Sequence, residues 1–200
     1  MTAPGGADPG PAFFRREPVT RVARDLLGMM LISTWSGRPR CGIIVETEAY
    51  SHTEKGCHAF GNRKTDRNRA MFSAGGVVYI YQCYGIHHLL NIVTGREGSA
   101  DAVLIRALRP IDLNDLPEQD RTPSKARRYY SGPGRLTRTL GIHTRHNGTE
   151  LGQEIRISSG IEIHDHEVAT GPRIGIDYAG ADAGLPWRFW VKDDFWVSRW

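Results

Sequence analysis

The sequence predicts an α+β fold, mainly β, in a single domain: a curved antiparallel sheet or open barrel with peripheral helices and a protruding β-hairpin. Three observations lead there. Short β-rich segments outnumber helical ones along the 200 residues. One of them, AVLIRALRP at 102–110, is apolar on both faces and belongs in the middle of a sheet. No repeat or composition break divides the chain, so residues 18–200 read as one domain behind a Gly-, Pro- and Ala-rich leader, residues 1–17, expected to be disordered.

Taken in order, Thr20 is placed to cap a short helix with Val22, Ala23, Leu26 and Leu27 on one side, and Gly28 fits its stop. MLIST at 30–34 reads as a strand, SGRPR at 36–40 as a turn and CGIIVETEAY at 41–50 as the returning strand. A long polar loop follows at 51–76, with a helical turn near Arg67 to Phe72. VVYIY at 77–81 and LLNIV at 89–93 are two strands turning at Gly85, which puts Tyr84 at the tip of a hairpin. Residues 112–141 are polar with helical pieces and an SGPG turn. EIRISSGIEIH, PRIGIDYAG and PWRFWVKDDFWVS read as short strands separated by turn signals.

Composition narrows the function. No apolar run is long enough to span a bilayer and the N-terminal residues lack the order of a signal peptide, so the expected compartment is the cytoplasm, with no membrane partner. Three cysteines without a CxxC pair suit a reducing environment. The net charge of +4 is unevenly spread: residues 1–138 carry 20 basic and 13 acidic side chains, and the remainder is net acidic. GNRKTDRNR at 61–69 and RTPSKARRYYSGPGRLTR at 121–138 supply much of the excess. They read either as solvated faces or as a polyanion footprint, and the interleaved glycines and aromatics favour the second.

Strand alternation places Glu46, Glu48 and Tyr50 on one face of VETEAY. Arg106 interrupts an apolar strand, and a buried guanidinium needs a carboxylate such as Glu48 or Glu46 beside it. Cys57-His58 and His87-His88 are adjacent pairs without zinc spacing, so no metal and no cofactor are expected. P-loop, GxGxxG, GxSxG and HExxH signatures are absent. What remains is a basic surface, a carboxylate grouped with aromatic rings, and an exposed tip tyrosine. That set suits a flat, electron-poor guest stacked between rings beside an activated water.

With these residues in view, the sequence resembles the alkyladenine (3-methyladenine) DNA glycosylase family, the type without a helix-hairpin-helix motif. VARDLLG, IVETEAY, TDRNRAMF, VYIYQCYGIHHLLNIV, AVLIRALRP, SGPGRLTRTLGI, PRIGIDYAG and PWRFWV all fall in family order. The resemblance implies a monofunctional base-excision enzyme that flips alkylated or deaminated purines out of duplex DNA, cuts the N-glycosidic bond and leaves an abasic site. By the same resemblance Glu48 is the general base for the attacking water, helped by Arg106 and the carbonyl of Ile174. Tyr50, His58 and Tyr81 enclose the extruded base, and Asn91 disfavours a guanine 2-amino group. Tyr84, with Ile86 beside it, is the wedge that fills the gap in the duplex. Arg63, Arg67, Arg135 and Arg138 are candidates for phosphate contacts.

Three features depart from the family pattern. SHTEKGC, between Tyr50 and His58, is one residue shorter and less acidic than in vertebrate members, Ile86 replaces a methionine, and the first 14 residues carry no Lys or Arg. None removes a catalytic group. The expected partner is double-stranded DNA with damaged purines, bound by a monomer, at the nucleoid in a bacterium or in the nucleus of a eukaryote. Two competing readings are a module that binds lesions without cutting and a small-molecule transferase on the same scaffold. The pairing of Glu48 with Arg106 argues against the first, and the basic surface with its tip tyrosine against the second.

Overall fold

The computed structural model describes residues 6–198; residues 1–5 of the expected leader and the last two residues lie outside the described residues. The rest of the leader reading needs correction. Pro11–Phe14 form a helical turn, α1, and Phe14 is buried in the main core. Its carbonyl accepts the amide of Gly95 at 2.8 Å. The Gly and Pro content suggested a tail, but one aromatic ring with a pocket to fill outweighs that bias.

Helix α2 (Val19–Asp25) buries Val19, Val22 and Ala23, with Leu26 and Leu27 beyond its end. Its N-cap is Pro18, so Thr20 lies inside the helix rather than capping it. Gly28 stops the chain as expected: its φ is 86°, and a Cβ there would sit 2.3 Å from the carbonyl oxygen of Ile161. Strands β1 (Met30–Ser33) and β2 (Arg40–Tyr50) then form an antiparallel pair.

Among the described residues the fold is α+β, mainly β: one eight-stranded antiparallel sheet that does not close. Strands β3 (Val78–Cys83), β4 (His87–Thr94) and β5 (Asp101–Pro110) follow in sequence, and β6 (Ile155–Ser158) lies on the far edge in the order β3-β4-β5-β2-β1-β6. Strand β5, buried from Asp101 to Leu108, sits between β4 and β2, as its two-sided apolar character required. Strand β2 is long enough to serve two neighbours on its other edge. Its first half pairs with β1, and Glu46 to Glu48 pair with β8 (Arg188–Val191), which in turn carries β7 (Val168–Gly171). Helices α3 (Pro123–Tyr130) and α4 (Pro133–Thr139) cover one side of the sheet.

Two expectations for the last third change. PRIGIDYAG is not a strand but an irregular stretch leading into a 3-10 segment at Asp177–Gly184, and residues 159–164 are also irregular. The alternation of Ile174 and Ile176 resembles a strand, yet Ile176 is buried in the loop and the amide of Ile174 is spent on a carboxylate. The strand that does form beside β8 is VATG at 168–171, too short and too polar to announce itself.

The hairpin β3–β4 is paired from Val78↔Ile92 to Cys83↔His87. At its tip Tyr84 and Gly85 both have positive φ, 50° and 72°, and the amide of Ile86 bonds the carbonyl of Cys83 at 3.2 Å. This is the sign pattern of a type I′ turn, which matches the twist of the flanking strands. Tyr84 is 87% exposed and Ile86 72%. A left-handed tyrosine with no packing in return is a local cost to the fold. Replacing Tyr84 with Gly is expected to raise stability by roughly 0.5–1 kcal/mol, read from urea unfolding midpoints.

Candidate active site

The site begins with two carboxylates on one strand. Glu46 and Glu48 project from β2 to the same side, as alternation requires, and both are fully buried. Opposite them β2–β5 pairing is irregular from Ile44 to Thr47, and Arg106 falls at this irregularity. Its carbonyl is taken instead by the amide of Gly132, ahead of α4, at 3.0 Å. The guanidinium bridges both acids: Nε donates to Glu46 Oε1 at 3.0 Å and Nη1 lies 3.1 Å from Glu48 Oε1. Burial pulls the Arg106 pKa down, but Glu48 and Glu46 outweigh it and the net shift is upward.

The two acids have different surroundings. Glu46 accepts from Arg106 Nε, from Arg188 Nε at 2.8 Å, and from the hydroxyl and amide of Ser198 at 2.9 and 2.8 Å. Three of these four donors converge on Oε1 and the Ser198 amide alone meets Oε2. Glu48 accepts the amide of Ile174 at 2.8 Å on Oε1, which also forms the ion pair with Arg106, and the Tyr50 hydroxyl at 2.7 Å on Oε2. One lone pair on Oε2 is left to accept a further donor. Burial first, and Glu48 next, push the Tyr50 phenol well above its usual range, so it stays protonated and donates.

Three of the groups around Glu48, namely Tyr50, Arg106 and Ile174, line a cavity of about 590 Å³. His58, Tyr81, Asn91 and the tip residue Tyr84 line it too, as do Arg67 and Arg135. Arg63, Arg138 and Ile86 are exposed but are not part of its wall. His58 and Tyr81 touch edge to face with centroids 4.5 Å apart, which leaves no room for a planar ring between them. They form one composite wall, and Tyr50 is a separate one with the buried Arg173 guanidinium 4.8 Å from its ring. Asn91 is buried and its Nδ2 donates to the carbonyls of Tyr79 and Leu89 at 3.1 and 3.4 Å, so its amide is rigid.

A family model, methylpurine-DNA glycosylase, matches residues 12–195. The chain belongs to this family. It is 41% identical over 194 residues to a protein of Bacillus licheniformis, covering 96% of this chain and 97% of that one. It is 45% identical over 185 residues to one of Chlamydia pneumoniae (91% and 94% covered) and 41% over 191 residues to one of Myxococcus xanthus (94% and 93%). Each of the three is named "Putative 3-methyladenine DNA glycosylase". As a methylpurine-DNA glycosylase the chain is a hydrolase of N-glycosyl bonds in DNA, within base excision repair.

Several residues of this glycosylase that hold the site were not singled out from sequence. Asn68, 2% exposed, fixes the loop by donating to the carbonyls of His58 and Arg63, both at 2.9 Å. The Tyr79 hydroxyl meets His58 Nδ1 at 2.9 Å. Arg173 and Glu54 form a buried bidentate pair, 2.6 and 2.7 Å, that ties the Ile174 loop to the loop carrying His58. Tyr178 and Arg127 line the cavity as well. The Asn in TDRNRAMF and the Arg in PRIGI were visible; what they hold depends on loop paths that periodicity does not report.

Among the described residues no group of three or more His, Cys, Asp or Glu is arranged to hold a metal ion, and no helix is long and apolar enough to cross a membrane. His58 is exposed through the cavity mouth, yet burial of its ring, with Arg67 adding to it, holds its pKa down to about 4. It is neutral at physiological pH. Its C–H resonances are therefore expected not to titrate between pH 5.5 and 8 by NMR, whereas an ordinary surface histidine would. A second expectation concerns the bridge: Arg106→Met leaves two buried carboxylates without their shared cation and should cost about 3–5 kcal/mol in urea unfolding at pH 7.

Proposed function

We propose that this glycosylase removes alkylated and deaminated purines, of the 3-methyladenine, 7-methylguanine, hypoxanthine and ethenoadenine class, from duplex DNA by flipping the nucleotide and hydrolysing it with a Glu48-activated water. The observation that carries this reading is Glu48 itself: a buried carboxylate directly behind the wall of a ring-lined cavity, held by two hydrogen bonds and an ion pair from the lining residues Tyr50, Ile174 and Arg106, with one lone pair to spare on Oε2. A water accepted there gives its proton to Glu48 as its oxygen bonds to C1′. The C1′–N bond breaks and its electron pair leaves with the purine. General-base assistance of this kind contributes about 10²–10⁴-fold.

Around that step the cage does the sorting. The extruded base stacks between Tyr50 and the Tyr81–His58 wall, where electron-rich rings attract a cationic purine by roughly 0.5–2 kcal/mol each. A neutral His58 adds no repulsion to such a lesion. Asn91, unable to retreat, disfavours the 2-amino group of undamaged guanine. Tyr84, held out on its turn, enters the duplex and replaces the lost stacking, worth about 1–3 kcal/mol. Arg67 and Arg135 at the cavity rim, with Arg63 and Arg138 farther out, contact phosphates. Cationic lesions leave readily, while hypoxanthine also needs a proton on the departing ring. Among the described residues that line the cavity there is no lysine, which favours water over an amine nucleophile and hence a monofunctional enzyme.

The test is single-turnover excision of hypoxanthine and 7-methylguanine from duplex DNA. Glu48→Gln should lose at least about 10²-fold for both while still binding the duplex. A wild-type rate for Glu48→Gln, or a covalent DNA adduct trapped by borohydride, overturns the mechanism.

A further inference from the structure

We infer that Ser198 is a positioning residue for the glycosylase reaction, delivered to the site by a strap at residues 194–198 that lies largely beyond the span matched by the family model. The inference rests on the mechanism just given, with Glu48 as base, and extends it to a residue that acts through Glu46.

The strap is built to deliver this side chain. Asp194, its carboxylate nearly buried, takes Arg109 Nε of β5 at 3.0 Å and caps the amide of Trp196 at 2.8 Å. Arg127 of α3 donates Nε to the carbonyl of Phe195 at 2.8 Å and Nη2 to that of Val197. Trp196 packs against the core, with its ring edge-to-face to Tyr130 at 6.1 Å. These anchors bring Ser198, 6% exposed and lining the cavity, to Glu46, which receives both its hydroxyl and its amide.

The chain of contacts then runs inward. Ser198 orients the Glu46 carboxylate, Glu46 holds Arg106 through Nε, and Arg106 reaches Glu48 through Nη1. A rigid planar guanidinium transmits a shift at one nitrogen to the other, so loss of one donor at Glu46 displaces the cation beside the base. Arg188, from β8, donates to the same oxygen, Oε1, so the hydroxyl shares that atom with Arg188 and Arg106.

Ser198→Ala removes the hydroxyl and keeps the amide, and Ser198→Thr restores the hydroxyl. At saturating enzyme, single-turnover excision should fall on the order of tenfold in Ser198→Ala and stay within about twofold of wild type in Ser198→Thr. Affinity for duplex DNA carrying an abasic-site analogue should not change in either, and any fall in thermal midpoint in Ser198→Ala should be recovered in Ser198→Thr. A wild-type rate in Ser198→Ala overturns the inference. So does an equal loss in both variants accompanied by a lower thermal midpoint, which is the mark of packing alone. Glu48→Gln measured in parallel separates the failures: if it is inactive while Ser198→Ala is normal, only this inference falls, and if it is active, the mechanism beneath it falls.

Discussion

One cation between two acids organises this enzyme. Glu46 and Glu48 are two residues apart on one face of β2 and both are excluded from solvent. Side by side in a low-dielectric interior their charges would repel. Arg106 removes that conflict by meeting both. The two acids still differ, because Glu46 receives four hydrogen bonds, two of them from arginines, whereas Glu48 receives two, from a main-chain amide and a phenol that both belong to cavity-lining residues. Such a cluster is expensive to bury and weak evidence for stability. Of its three members, Arg106 lines the cavity and the two acids lie behind it.

The sheet explains how the cluster is held. Strand β2 is the common member of two arms, one through β5 to the β3–β4 hairpin and one through β8. The acids lie where the arms meet, so each arm contributes a ligand: Arg106 from β5 and Arg188 from β8. The same arrangement sets the cavity wall. Tyr50 ends β2, while Tyr81 and Asn91 come from the hairpin whose far end carries Tyr84. Loops supply the remainder, and buried polar pairs fix them, Arg173 with Glu54 on one side and Asn68 with the His58 carbonyl on the other. These loops behave as parts of the scaffold, since each is tied by charged or amide groups that would be costly to expose unpaired.

Much of this was legible in the chain. Period-2 patterning located β2, β5 and the hairpin within a residue or two, and an arginine inside an apolar strand announced a buried acid. Tyr84 stood out because a ring beside a glycine at a tip has nothing to pack on. The losses have specific causes. Phe14 folded a segment whose composition spoke for disorder, since burial of one side chain is invisible to a composition count. PRIGIDYAG alternated like a strand although its amide and apolar groups serve tertiary contacts. Ser198 and Arg188 could not be placed at all, because their partner lies about 140 to 150 residues away in the chain, and sequence separation of that size leaves no local trace.

That separation bears on how the enzyme is made. A polypeptide emerging from a ribosome N-terminus first exposes β2 and β5, with their acids and their arginine, long before residue 198 arrives. Until then Glu46 lacks two of its four donors, and the hydrogen-bond network that fixes Arg106 is unfinished. While residue 198 is still unmade, the buried acid pair of a growing chain is therefore held by only part of its hydrogen-bond network.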